Sequence, residues 1–277
     1  MSLFIASLNS GSNGNCYYVG NDREAILVDA GISCRETERR MRDCGLDPAK
    51  VKAIFISHEH SDHIRGLEVL SRKYRLPVYI TPGTLQHSGL QLAAEFCHTF
   101  RAFEPVTIGG LRITAFPKYH DAADPHSFIV EGNQVCIGVF TDLGQVCSHL
   151  VQHFGRCHAA FLEANYDREM LDRGPYPYHL KRRISGGKGH LSNTEALDLF
   201  LQHRPRFMSH LLLSHLSKDN NSPELVQNLF GRQAGATEVI VAGRFAATPV
   251  YEVCNSATAA VPVAVPVRQK IQQLSLF

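Results

Sequence analysis

Within six residues, His58-Glu59-His60-Ser61-Asp62-His63, the chain gathers three imidazoles and two carboxylates, with the three His and Asp62 at a spacing suited to chemistry. These are the groups that hold divalent ions, through ring nitrogen and carboxylate oxygen. The run KAIFIS (52–57) before them has the pattern of a buried strand, and IRGLEVLSRKY (64–74) after them has the apolar spacing of a helix. The cluster therefore falls in a strand-to-helix connection, where functional residues collect. While the chain is still extended, His58 and His60 project to the same side, because side chains alternate with period two, and they can share one ion. Asp62 and His63 enter the helix and point elsewhere, which suits a second ion roughly 3.5–4 Å away. The plain alternative is a histidine-rich polar loop, but three His and one Asp at these spacings arise by chance only about two times in a thousand for a chain of this composition.

Two ions need more than four ligands. His120 follows LRITAFPKY, Asp142 follows CIGVFT and His215 follows HLLLS, each at the end of an apolar run. Strand ends of this kind can converge on one rim. The expected arrangement is His58, His60 and His120 on one metal, Asp62, His63 and His215 on the other, and Asp142 as the bridge. Taken singly, each later residue could be a surface histidine or a helix-capping aspartate, and His126 competes with His120 for its place. The donor set fits Zn²⁺ and is tolerated by Mn²⁺.

The elements that must position these residues alternate along the chain. Short β-rich runs (LFIAS, CYYVG, AILVDA, KAIFIS, LPVYIT, LRITAF, SFIV) and then CIGVFTD, AAFLEAN, HLLLSH and TEVIVAG are separated by turns and helical stretches. Helices are expected over CRETERRMRDCG and near 144–153, 193–203 and 223–230, with Ser192 and Glu195 forming a capping box. The pattern predicts an α/β fold of two sheets sandwiched between helical layers. One domain is expected over residues 1–252, since 277 residues at 44% hydrophobic content can bury a full core. From 253 to 277 the composition turns to Ala, Val and Pro, an extended linker.

Composition also excludes some classes. No apolar run approaches the roughly 18 residues of a membrane span, and the first residues lack a signal-peptide pattern, so a cytoplasmic protein is expected. The eight cysteines form no C-x-x-C pair, which argues against a zinc knuckle or redox motif. A net charge of +2 does not by itself indicate nucleic acid.

These motifs resemble the metallo-β-lactamase superfamily, whose metal motifs match HEHSDH, His120, TDLG and LLLSHLS across most of residues 1–245. The resemblance implies the αββα four-layer sandwich. More narrowly, SLNSGSNGNCYYV, ILVDAGIS, ISHEHSDHIRGL, LEANYD, KRRISGGKGHLSN and LLLSHLSKDNNSPE are similar to the bacterial WalJ/YycJ-type proteins. That implies a metal-dependent phosphodiester hydrolase, a 5′-to-3′ exonuclease on double-stranded DNA in replication or repair. The order Glu163, His190, His215 is similar to that of tRNA 3′-processing relatives, which implies that His190 engages the phosphate and gives a proton while Glu163 orients it. The expected catalytic set is thus Asp62, His190 and Glu163. A helix-start histidine and a strand-end acid without catalytic roles are the plain alternatives.

Lys181, Arg182, Arg183 and Lys188 lie just before His190 and could position DNA phosphates, although a solvated helix face is the usual explanation of such a run. The loop Ser10 to Asn15 could approach a phosphate through its backbone, with a hairpin turn as the default. Gln273, Leu274, Ser275, Leu276 and Phe277 resemble the peptide by which bacterial replication and repair enzymes dock on the DNA polymerase sliding clamp, and a tail folded onto its own domain is the alternative. Three rival functions compete with this reading. RNA or tRNA 3′ processing meets the objection that only twenty residues separate Asp142 from Glu163, too few for a large inserted RNA-binding domain. β-Lactam or thioester hydrolysis would leave Glu163 and His190 without use. A non-catalytic clamp-binding adaptor has no need of seven ligands.

Overall fold

The computed structural model describes residues 2–255. The first half runs β1 (Ser2–Asn9), β2 (Cys16–Gly20), β3 (Ala25–Val28), α1 (Cys34–Asp43), β4 (Val51–Phe55), α2 (Ser61–Ile64), α3 (Leu67–Tyr74), β5 (Val78–Tyr79), α4 (Pro82–Ser88) and β6 (Cys97–His98). The second runs β7 (Pro105–Ile108), β8 (Leu111–Pro117), β9 (His126–Gly132), β10 (Val135–Phe140), α5 (Ser148–Phe154), β11 (Ala159–Glu163), α6 (Arg168–Arg173), α7 (Tyr178–Ser185), α8 (Asn193–His203), β12 (His210–Ser214), α9 (Pro223–Gly231) and β13 (Glu238–Val241). A last strand, β14 (Tyr251–Cys254), returns to the first sheet and pairs with β1, so pairing reaches two residues past the composition change at Glu252.

Among the described residues seven strands form each sheet, in the orders β14-β1-β2-β3-β4-β5-β6 and β13-β12-β11-β10-β9-β8-β7. Period-two alternation explains how they pack. On β1, Leu3 and Ile5 join the core between the sheets, while Ala6 and Leu8 face the helical layer. Strands buried on both faces read as continuous apolar runs, as AILV of β3 and VCIGVF of β10 do. Tyr17, Phe55, Phe128 and Phe161 fill the space between the sheets. Phe154, Phe200 and Phe230 of α5, α8 and α9 cover the outer face of the second sheet. Met41 of α1 and Leu67 and Leu70 of α3 cover the first. This is the αββα sandwich that the sequence predicts.

Helix α8 begins at the expected capping box, Ser192 accepting from Glu195 N while the Glu195 carboxylate accepts from Ser192 N. α5 starts at Ser148, later than the expected 144, because residue 144 is held elsewhere: Gly144 N donates to Tyr119 O, and its Cα packs against Gly187 and Lys188 too closely for any side chain.

Direction sets the rim. β3 and β4 are parallel, and so are β10, β11 and β12. β8 and β10 both run antiparallel to β9 and so share one direction. The residues that follow these strands are Asp29, Ser57 to His63, His120, Asp142 and His215, with Glu163 closing β11.

Candidate metal centre

The first sheet supplies a turn. β4 ends at Phe55, and His60 is extended (φ −60°, ψ 144°) immediately before α2 begins. His58 Nε2 lies 3.1 Å from His60 Nδ1, and the His58 and His120 rings are 4.8 Å apart. Asp62 and His63, one turn on, face His215, with Asp62 Oδ2 at 3.6 Å from His215 Nε2. The turn is held from behind. Asp29 Oδ2 meets His63 Nδ1 at 2.7 Å and accepts from Ser57 Oγ at 2.8 Å, and Ser57 Oγ lies 2.9 Å from His58 Nδ1. One buried carboxylate therefore fixes two rings. The segment after β3 approaches so closely that a Cβ on Gly31 would stand 1.6 Å from Asp62 O, and only glycine fits there.

The second sheet supplies single side chains. His120 Nδ1 donates to Gly189 O at 2.9 Å, which leaves Nε2 for the centre. Asp142 reaches both groups of histidines, at 3.3 Å from His63 Nε2, 3.4 Å from His215 Nε2 and 3.8 Å from His120 Nε2. Asp29, Asp142 and His215 all have left-handed backbones, with φ of 63°, 55° and 57°. Such residues are uncommon outside glycine and cluster at functional sites. Each stands just past a strand end, where the left-handed residue turns the chain and carries its side chain onto the rim.

Among the described residues, four overlapping groups bring one nitrogen or carboxylate oxygen per residue within 4.8 Å of one another, two of them His58 with His60 and His120, and Asp62 with His63 and His215. The sequence expects these two triads, but His63 also falls within the same reach of His58 and Asp142, and His215 within that of Asp142, Glu163 and His190. His58 and His120 are neutral imidazoles: burial, then the charges of His63 and Lys118, hold His58 well below its usual value, and burial brings His120 down to about 4. Neutral imidazole is the ligating form. In the other triad burial also opposes the charged ring, but Asp142 with Asp29 and Asp62 outweighs it at His63, and Asp142 with Asp62 and Glu163 lifts His215 to about 10. That half of the centre is built for positive charge.

Of the eight buried side-chain atoms without a hydrogen-bond partner among the described residues, three, His120 Nε2, Asp142 Oδ2 and His215 Nε2, lie together at this centre. Leaving one such group unsatisfied costs about 1–3 kcal/mol, and divalent cations at this point would satisfy all three. The residues present fit divalent cations bound through nitrogen and oxygen donors.

Glu163 and His190 stand beside it. Glu163 is fully buried, accepts from Leu143 N at 2.6 Å, and contacts His190 Nδ1 at 2.7 Å and His215 Nδ1 at 3.3 Å. Burial alone would keep its carboxyl protonated, but the opposing charge and hydrogen bond of His190, joined by His215, bring it down to about 2. The His190 ring is partly exposed and lines a cavity of about 310 Å³ with His60, Asp62, His120, Asp142 and His215. His126 is absent from this group: its ring packs on Phe100 and its Nδ1 contacts Asp124 O.

The basic residues differ among themselves. Arg183 of α7 pairs with Asp121 at 2.5 Å and lines the cavity. Arg182 lies over the exposed Tyr178 ring, Lys181 Nζ is spent on Asp172 O at 2.6 Å, and Lys188 is exposed. Residues 273–277 lie outside the described part of the chain.

Five supporting residues were not singled out from the sequence. Asp29 and Ser57 hold the rings already named. Asn15 donates to Asp62 Oδ2 at 3.2 Å, and Asn165 Nδ2 lies 3.1 Å from His215 Nδ1 and donates to His215 O at 2.7 Å. Lys118 is buried and donates Nζ to Thr141 O at 2.8 Å, bracing the residue before Asp142. Asp29 ends an apolar run, as the ligand candidates do, and that signal could have found it.

The family described as Beta-lactamase superfamily domain matches residues 24–215. An exodeoxyribonuclease YycJ of Bacillus anthracis is 37% identical over 230 residues, 82% of this chain and 87% of that protein. An exodeoxyribonuclease WalJ of Streptococcus pneumoniae is 31% identical over 260 residues, 89% of this chain and 96% of that one. Among solved structures, the metallo-β-lactamase fold protein YhfI of Bacillus subtilis superposes with a TM-score of 0.70 at 17% identity, covering 91% of this chain and all of that one. With its two sheets, its rim of histidines and aspartates and these relatives, the chain belongs to the metallo-β-lactamase superfamily, and within it to the YycJ/WalJ type.

Proposed function

We propose that the chain is a metal-dependent exodeoxyribonuclease that degrades double-stranded DNA from 5′ ends in replication or repair, within the cytoplasm. The single observation that carries this reading beyond a general hydrolase is the His190–Glu163 pair, 2.7 Å apart, at the wall of the metal cavity. It is supported by relatives bearing the exodeoxyribonuclease name at 37% and 31% identity over most of both chains.

His58, His60 and His120 would hold one divalent ion, Asp62, His63 and His215 the other, and Asp142 would reach both; Zn²⁺ and Mn²⁺ both suit these donors. When bound, such ions supply Lewis acidity toward phosphoryl oxygens and a water activated for attack. The chain supplies the rest. Glu163 occupies His190 Nδ1, which leaves the mobile proton on Nε2 for the departing 3′-oxygen, an assistance worth typically 10²–10⁴-fold. Arg183, which lines the cavity, together with Lys181, Arg182 and Lys188, positions backbone phosphates. The peptide Gln273 to Phe277 docks on the sliding clamp and holds the enzyme on duplex DNA.

Duplexes labelled at the 5′ or 3′ end, incubated with purified protein in Zn²⁺ or Mn²⁺, test the activity. Release of label by the wild type but not by Asp62→Ala is expected. Hydrolysis of precursor tRNA in preference to duplex DNA would overturn the reading. For the tail, a fluorescent copy of residues 265–277 should bind the clamp and be displaced by a known clamp peptide.

A further inference from the structure

The two triads differ in what stands behind their rings. In the triad of Asp62, His63 and His215 each imidazole is backed by a carboxylate, Asp29 Oδ2 at 2.7 Å from His63 Nδ1 and Glu163 Oε1 at 3.3 Å from His215 Nδ1. In the triad of His58, His60 and His120 the partners behind the rings are neutral, Ser57 Oγ at 2.9 Å from His58 Nδ1 and Gly189 O at 2.9 Å from His120 Nδ1. A carboxylate behind a ligating ring raises its basicity and adds negative charge to the site. A hydroxyl or carbonyl adds no charge. The histidine triad has a cation beside it instead. Lys118 directly follows β8, two residues before His120, and is the one buried lysine among the described residues. Its backbone N–H donates to Pro125 O at 3.1 Å and its Nζ to Thr141 O at 2.8 Å, so both ends of the side chain are fixed. Behind burial, its charge is among those that keep His58 and His120 neutral. At His63 and His215, where burial acts the same way, the leading charges are carboxylates.

We propose that Lys118 sets the order in which the centre fills. Its fixed ammonium weakens the triad of His58, His60 and His120 for divalent cations, so the triad of Asp62, His63 and His215 takes the first ion and the histidine triad holds the second more loosely. The proposal rests on the two-ion placement given above and not on the nucleic-acid substrate. No proton need move for it, since like charges repel across a buried site far more strongly than in water. The same charge has a use when the centre is empty. Asp29, Asp62, Asp142 and Glu163 crowd one rim, and a buried ammonium offsets part of their mutual repulsion, as they in turn offset the cost of burying it. Lys118 is thus a positioning residue with two opposed effects: it stabilises the empty protein and opposes its complete loading.

Full-length protein stripped with EDTA, dialysed and titrated with Zn²⁺ against a chromogenic chelator tests this without recourse to catalysis. The wild type should bind two ions per chain in separate steps, the second dissociation constant about tenfold or more above the first. His60→Ala should lose the weak step and keep the tight one, and Asp62→Ala should lose the tight one. Lys118→Gln keeps a side-chain N–H for Thr141 O without the charge, and should tighten the second step by about tenfold or more. Lys118→Arg keeps the charge and should keep the wild-type gap. Melting temperatures separate charge from bracing: stripped Lys118→Gln should melt below the stripped wild type and gain more than it on saturation with Zn²⁺. A lysine that only braced Thr141 would lower both states alike. If stripped Lys118→Gln does not fold, the weak step is read in the loaded variant by withdrawing Zn²⁺ with the chelator, and the wild type, His60→Ala and Asp62→Ala still test the order of filling. Equal steps in the wild type, loss of the tight step in His60→Ala, or an unchanged or weaker second step in Lys118→Gln overturns the proposal while leaving the two-ion reading intact. A single ion per chain at Zn²⁺ saturation of the wild type overturns both.

Discussion

The two sheets furnish the centre in opposite ways. The first delivers His58, His60, Asp62 and His63 from one turn, so their relative placement is settled within a few bonds and then braced by Asp29 and Ser57. The second delivers His120, Asp142, Glu163 and His215 one per strand end, so their placement depends on the register of β8, β10, β11 and β12. A local turn can be read from spacing, whereas a register cannot. Asp142 is where the two halves meet, since it contacts His63 on one side and His215 and His120 on the other.

The largest effect should therefore come from the residue common to both halves. Asp142→Ala should lower nuclease turnover by about 10³-fold or more, because losing the centre forfeits several kcal/mol of charge stabilisation, and metal analysis should show fewer than two ions per chain with the circular dichroism of a folded protein. Retention of both ions and of turnover would refute the place given to Asp142. Chelation with EDTA should abolish activity to a similar degree, with Zn²⁺ or Mn²⁺ restoring it.

Next in size are the braces, which compare the halves directly. Asp29→Ala removes a carboxylate that supports two rings, and Asn165→Ala removes an amide that contacts one. Outer partners of metal ligands are worth roughly 10–100-fold in affinity or activity. Asp29→Ala should fall at the upper end of that range and Asn165→Ala at the lower, measured as metal affinity by competition with a chromogenic chelator. The reverse order would show that the dispersed half is the more fragile one.

The smallest effect concerns how the first half is anchored. Buried Arg40 of α1 donates to Leu8 O and Asn9 Oδ1 at the start of the loop that carries Asn15, and Glu36 holds Arg40 at 2.6 Å. Hydrogen bonds from Arg39 first, then Arg40, bring the Glu36 carboxyl down to about 2 against burial, which is the second-largest effect and raises it. A carboxylate lowered on folding adds stability that is fully present above its ordinary value near 4.5 and is lost as pH falls through about 2. Glu36→Gln should thus cost within about 1 kcal/mol at neutral pH, and the gap between variant and wild-type melting temperatures should close as pH falls from about 4.5 toward 2. A gap that is constant with pH would mean that Glu36 acts through packing.

Much of the fold was legible. The long apolar strands and α8 with its capping box stand where periodicity and cap chemistry put them. β6, two residues long, and β7, opening on Pro105, carry too little pattern to be seen, and α7 has no side-chain cap to announce it. In the centre, a polar residue after an apolar run marks His120, Asp142 and His215, and Asp29 after AILV carries the same mark. Asn15, Ser57 and Asn165 are of types too common in loops to stand out. Lys118 is of a type almost never buried, so nothing local marked it as interior.

By itself, then, the sequence determined the chemistry available: imidazoles and carboxylates after buried strands, and a turn able to present four of them, because alternation and helix entry are local properties of the chain. Tertiary structure alone decided which of these residues share a point in space. It selected His120 over His126, set Asp142 between the triads and put Asp29 behind two rings. Those choices depend on strand direction, register and left-handed backbone turns at Asp29, Asp142 and His215, which only the packed sheets impose.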